Sequence, residues 1–176
     1  MSSDAVVIRQ WSRSYAVQAR ADWEAYEALC VADPPLPRCE ELHFLQMACE
    51  KLCKAHELKD GKEGIKRKTH QCIRKVLPSV IRQSLWPSGK IPKQQKGEFG
   101  QLVQLAGTLA PLIESLAPLK DGVPNSEYPW QEKDGRIRIP AEHDFHALAA
   151  LLAPDGIKLV KALKNATQQI ITFHES

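Results

Sequence analysis

The stretch from Arg38 to Lys59 is the tightest constraint on how this chain folds. It holds no Pro or Gly, so nothing in it interrupts a helix. Leu42, Phe44, Leu45, Met47, Ala48, Cys49, Leu52, Cys53, Ala55 and Leu58 cover most of a helical circumference. The remaining positions, His43, Gln46, Glu50, Lys54 and Glu57, recur at three and four residues and form a narrow polar stripe. A helix apolar on most sides has to be surrounded by other elements, so this one is expected at the centre of a bundle.

The rest of the chain supplies the surroundings. From about Asp4 to Ala32 the sequence reads as one or two helices, with Trp11, Tyr15, Gln18, Asp22 and Ala25 on one side. Val31 to Pro37 breaks that run, because residues before prolines are biased away from the α region. Asp60 to Lys68 reads as a basic loop, and Thr69 is placed to cap the following helix. Ile73, Val76, Leu77, Val80, Ile81 and Leu85 then follow helical period, with Pro78 predicting a kink or a break. After a second basic loop, Trp86 to Gly97, the stripe Phe99, Leu102, Val103, Ala106, Leu109, Ala110, Ile113, Leu116 and Ala117 is the cleanest in the chain. Pro111 predicts a bend there and Pro118 a stop.

Leu119 to Pro140 is irregular, with Tyr128 to Trp130 and Arg136 to Ile139 flanking Asp134-Gly135 as a candidate hairpin. Pro140 is expected to open a short helix ending near Leu152. A last helix, about Asp155 to Phe173, would bury Leu159, Val160, Leu163, Ala166, Ile170 and Ile171. The expected fold class is all-α: an up-and-down bundle of about five helices with a small β-hairpin near 127–139. Residues 1–118 would form the bundle, and 119–176 an extension packed on the same domain.

Charge is unevenly placed. Between Lys51 and Lys96 thirteen cations face three acids, a local net of +10, which leaves −7 for the remainder of a chain whose total is +3. That asymmetry points to RNA or an acidic protein surface as a partner; solvated Lys tips around a loop are the plain alternative. The five cysteines form no CxxC pair, which suggests a reducing compartment without a disulfide framework. With no signal-like start and no long apolar run, the expectation is a cytoplasmic protein that does not enter a membrane.

Two stretches go beyond helical arithmetic. Leu42 to Ala55, reading LHFLQMACEKLCKA, resembles the second helix of the HEPN family, with its aromatic start, a Gln, and Ala-x-Glu-Lys-x-x-Lys-Ala. Thr69-His70 before Ile73, Val76 and Leu77 resembles the Thr-His pair that opens that family's third helix, and the Trp- and Tyr-rich first helix is similar too. The resemblance spans roughly Trp11 to Leu116. It implies an up-and-down bundle, commonly a homodimer, tied to RNA or nucleotide chemistry in toxin–antitoxin and phage-defence systems and often partnered by a small nucleotidyltransferase. It also implies that an active member would be a metal-independent ribonuclease using an Arg and a His four to six residues apart.

Such chemistry needs a cation to stabilise the phosphorane and a His to move a proton at the 2′-hydroxyl. Arg38 and His43 have the spacing, as do Arg138 and Arg136 with His143. None has Asn after the Arg, and none lies where active members of the family place the pair, late in the bundle after the third helix, so the sequence departs from the catalytic pattern. Arg38 and His43 are the better candidate pair; the plainer reading is a surface His with Arg38 paired to Glu40 or Glu41. For RNA binding the candidates are Lys62, Lys66, Arg67, Lys68, His70, Arg74 and Lys75, with His70 at a helix N-terminus where free N–H groups favour anions. Walker, GxGxxG, GxSxG and HExxH patterns are absent. His43, Cys49 and Cys53 share a helix, but both cysteines face its apolar side, so neither a metal nor a cofactor is expected. Three readings follow: a binding module for RNA or an acidic partner, a ribonuclease using Arg38 and His43, and a structural interaction subunit.

Overall fold

The computed structural model describes residues 3–61, 70–86 and 96–175. It is an all-α bundle. The helices are α1 (Ser3–Cys30), α2 (Arg38–Leu58), α3 (Ile73–Leu85), α4 (Lys96–Glu114), α5 (His146–Leu152) and α6 (Pro154–Glu175). The one sheet among the described residues is a hairpin of β1 (Trp130–Gln131) and β2 (Ile137–Arg138), antiparallel with Trp130 opposite Arg138. Gly135 takes the positive φ of +87° that its turn needs.

The first helical run is one helix. It packs on α2 through Ser12, Ala16, Ala19, Asp22 and Trp23, while Trp11 and Gln18, read on one side with Asp22, are exposed. Small side chains at Ser12, Ala16 and Ala19 let the two backbones approach closely. Ser12 Oγ donates to the Ala55 carbonyl of α2 at 2.6 Å and lies 2.9 Å from His174 Nε2 of α6. α2 touches α1, α3, α4 and α6, and its Leu42, Leu45 and Leu52 are fully buried. A continuous core joins these leucines to Ile73, Leu77 and Ile81 of α3, Ile113 of α4, and Leu159 and Leu163 of α6. Residues on both sides of Pro118 therefore share one interior.

Local expectations are corrected in three places. α3 runs unbroken through Pro78, with Ile73 before it and Leu77 and Ile81 around it all buried; that packing outweighs the roughly 3 kcal/mol a mid-helix proline costs. Pro140 opens only a 3-10 turn, Pro140–Glu142, and α5 starts six residues later at His146. The chain between them is extended because it stacks rings: His143 sits edge-on between Trp130 at 5.0 Å and Phe145 at 4.6 Å. α4 stops at Glu114, ahead of Pro118. Thr69 lies outside the described residues, and α3 begins after it at Ile73. The elbow between α5 and α6 is so tight that a Cβ on Gly156 would collide with the carbonyl oxygens of Ala150 and Leu151. Among the described residues no helix is long and apolar enough to cross a membrane.

Candidate functional site

The polar stripe of α2 does not face water. Glu50 is 1% exposed and Lys54 4%, with Gln46 fully enclosed; Tyr15 of α1 lies over Lys54, and His70, ahead of α3, reaches Glu50. Glu50 is the hub. Its Oε1 accepts from Lys54 Nζ at 2.7 Å and from Lys51 Nζ at 3.3 Å; its Oε2 accepts from the Gln46 amide at 3.2 Å and meets His70 Nδ1 at 2.7 Å. Lys54 Nζ also stands 5.5 Å from the centre of the Tyr15 ring on α1, a cation–π contact. Burial by itself would raise the Glu50 pKa, but hydrogen bonds from Lys54 and His70 and the charges of Lys51 and Lys54 outweigh it and hold the carboxyl down to about 2.

One turn toward the start of α2 the seam is less complete. Asp22 Oδ1 accepts from Gln18 at 2.7 Å, yet Asp22 Oδ2, Gln46 Oε1, His43 Nδ1 and Glu127 Oε1 are buried without a hydrogen-bond partner. His43 Nδ1 and Glu127 Oε1 lie 3.6 Å apart, close enough for an ion pair and too far for a hydrogen bond. Burial raises the Asp22 carboxyl, against the lowering effect of Gln18, Lys51 and His43.

The sequence candidates fall in different places. Arg38 Nη1 donates to both carboxylate oxygens of Glu41, at 2.6 and 2.8 Å, while His43 is turned to Glu127 and lies edge-on to Phe44. Five residues along a helix is about 140° around its axis, so the two side chains leave α2 in different directions. Lys62, Lys66, Arg67 and Lys68 lie outside the described residues. His70 is half-exposed and tied to Glu50. The first turn of α3 is already served by an anion: Glu114 of α4 reaches over so that its Oε2 accepts the Arg74 backbone N–H at 2.9 Å.

What α3 leaves on its outer face is basic. Arg74, Lys75 and Arg82 are exposed, its Ile73, Val76, Leu77, Val80 and Ile81 point inward, and it contains no Asp or Glu. Lys75 and Arg82, seven residues apart, lie within about 20° of each other around the helix. The local +10 counted along the sequence shrinks at the same time. Lys51 and Lys54 are paired with Glu50, which stands just ahead of the counted window and cancels one of their two charges.

Among the described residues no group of three or more His, Cys, Asp or Glu could hold a metal. All five cysteines are free. Burial pushes the Cys49 thiol up to about 12 and Cys53, beside Cys72, up as well, which makes them poor nucleophiles. Sequence reading saw the α2 stripe but not its burial. The Lys54–Glu50 pair, four residues apart, was a readable signal for a buried ion pair; the small Ser12, Ala16 and Ala19 face of α1 was the signal for what covers it. In comparisons with known proteins, no family model, no curated sequence and no solved structure matches this chain.

Proposed function

We propose that the chain is a HEPN-like binding module of the kind found in bacterial defence or toxin–antitoxin systems. It would act as a homodimer beside a nucleotidyltransferase or another defence-system protein, and it would engage RNA through the cations of α3 and the segment before it. One observation carries this reading: the outer face of α3 presents Arg74, Lys75 and Arg82 with no carboxylate on the same helix. Arginine forks suit phosphate oxygens, and cations held on a rigid amphipathic helix lose little freedom on binding. Lys62, Lys66, Arg67, Lys68 and His70 precede that helix in the sequence.

Affinity for a single-stranded RNA across a salt series tests it. Each phosphate contact contributes about 0.7 to the log–log salt slope, so replacing Arg74, Lys75 and Arg82 together by Glu is expected to flatten it by about 2. An unchanged slope removes α3 from the interface. Absence of RNA binding at low salt, together with tight binding of an acidic protein, moves the chain to the docking-subunit reading. The ribonuclease alternative is read in the same mixture with EDTA: cleavage that His43→Ala abolishes would return Arg38 and His43 to a catalytic role.

A further inference from the structure

A cleft of about 320 Å³ opens where α2, α3 and α6 converge, apart from the seam and from the outer face of α3. That volume falls at the lower end of ligand-binding clefts, about 300–1,000 Å³. Its interior is apolar: Leu52 from α2, Val80 from α3, and Ala166 and Ile170 from α6, with half-exposed Phe173 at the mouth. His56 of α2 and Lys59 just past its end meet Gln83 and Ser84 of α3 on one side, and α6 adds the neutral Gln169 and Thr172. Burial, with Lys59 adding to it, pushes the His56 pKa down to about 4, so the imidazole is neutral at pH 7. Among the described residues lining the cleft, Lys59 is therefore the single full charge, and none is a carboxylate. Its Nζ donates to a neutral partner, the Gln83 amide oxygen. Burial lowers the Lys59 pKa, against the raising effect of Asp60 and Glu57, neither of which lines the cleft.

We propose that this cleft binds a small amphipathic carboxylate. The apolar chain lies on Leu52, Val80, Ala166 and Ile170, and the carboxylate replaces the Gln83 amide on Lys59. Exchanging a neutral acceptor for an ionised one strengthens the hydrogen bond to a partly desolvated ammonium, and burial of the chain supplies the non-directional part of the affinity. An amine of equal length meets Lys59 with like charge, and an alcohol forgoes the charge-assisted bond. The proposal is independent of RNA binding.

Octanoate, octan-1-ol and octylamine titrated into the full chain at neutral pH, followed by amide 1H–15N spectra, test it. Octanoate is expected to move the amides of Leu52, Gln83 and Ile170 and to bind at least about tenfold more tightly than the alcohol, with the amine weakest. Lys59→Met, a change at the rim, is expected to bring octanoate down to the affinity of the alcohol while leaving the spectrum of the core intact. A second variant, Ala166→Phe, fills the cleft and is expected to abolish all three titrations. Equal binding of acid and alcohol, octanoate affinity unchanged in Lys59→Met, shifts that map elsewhere, or no shifts at all would each overturn the proposal.

Discussion

Replacing Glu50 by Gln keeps the shape of the hub and removes its charge. Lys54 and Lys51 then sit with side chains 5% and 14% exposed, without the carboxylate they neutralise. The magnitude follows from the carboxyl itself. Its pKa falls from the ordinary 4.5 to about 2 in the folded chain, which corresponds to about 3 kcal/mol of stability contributed by the ionised form. Breaking a buried pair by deleting one partner is independently worth about 3–5 kcal/mol. Because the folded pKa is the lower one, this contribution is complete above the unfolded value of 4.5 and is lost as pH falls toward 2. Urea unfolding of both proteins across a pH series measures it. The gap between wild type and Glu50→Gln is expected to be about 3 kcal/mol at neutral pH, flat down to about pH 5, and roughly halved by about pH 3. A gap under about 1 kcal/mol, or one that does not narrow in acid, would refute the view that the network holds Glu50 ionised inside the bundle.

Glu114→Ala removes the acceptor at the first turn of α3 and is expected to cost about 1–2 kcal/mol in urea unfolding, with no change if the α3 N-terminus is satisfied otherwise. Ala19→Leu forces a larger side chain into the fully enclosed α1–α2 contact and is expected to cost about 1–3 kcal/mol by thermal or urea unfolding, whereas Val17→Leu on the exposed side of α1 is expected to be neutral. Equal effects of the two would mean that α1 does not pack as closely as described.

The all-α bundle was legible because helical period and proline punctuation are local properties. α2 extends from Arg38 to Leu58 almost as its apolar pattern dictates, and α6 buries five of the six residues expected of it, Val160 being half-buried. What was not legible was which face meets which. The stripe His43, Gln46, Glu50, Lys54 reads as a solvated edge until α1 is laid over it, and that placement depends on Ser12, Ala16 and Ala19 being small rather than on any feature of α2. Glu50 and His70 are 20 residues apart, and Glu114 and Arg74 are 40, so neither pairing leaves a periodic trace. The Arg38–Glu41 pair, three residues apart, does leave one. For the opposite reason Pro78 does not break α3: a local rule was outweighed by burial on both sides of it.

The Ser12 hydroxyl has a single hydrogen, and that hydrogen is committed to the Ala55 carbonyl at 2.6 Å. Toward His174 the same oxygen can only accept, so the 2.9 Å contact requires a proton on Nε2 of that ring. Burial, with Arg13 assisting, lowers the His174 pKa, which leaves the ring neutral at physiological pH and fixes it as the Nε2–H tautomer with Nδ1 bare. Proton order therefore runs one way, from the imidazole of α6 through the serine of α1 to the peptide of α2, and each bond in that relay polarises the next.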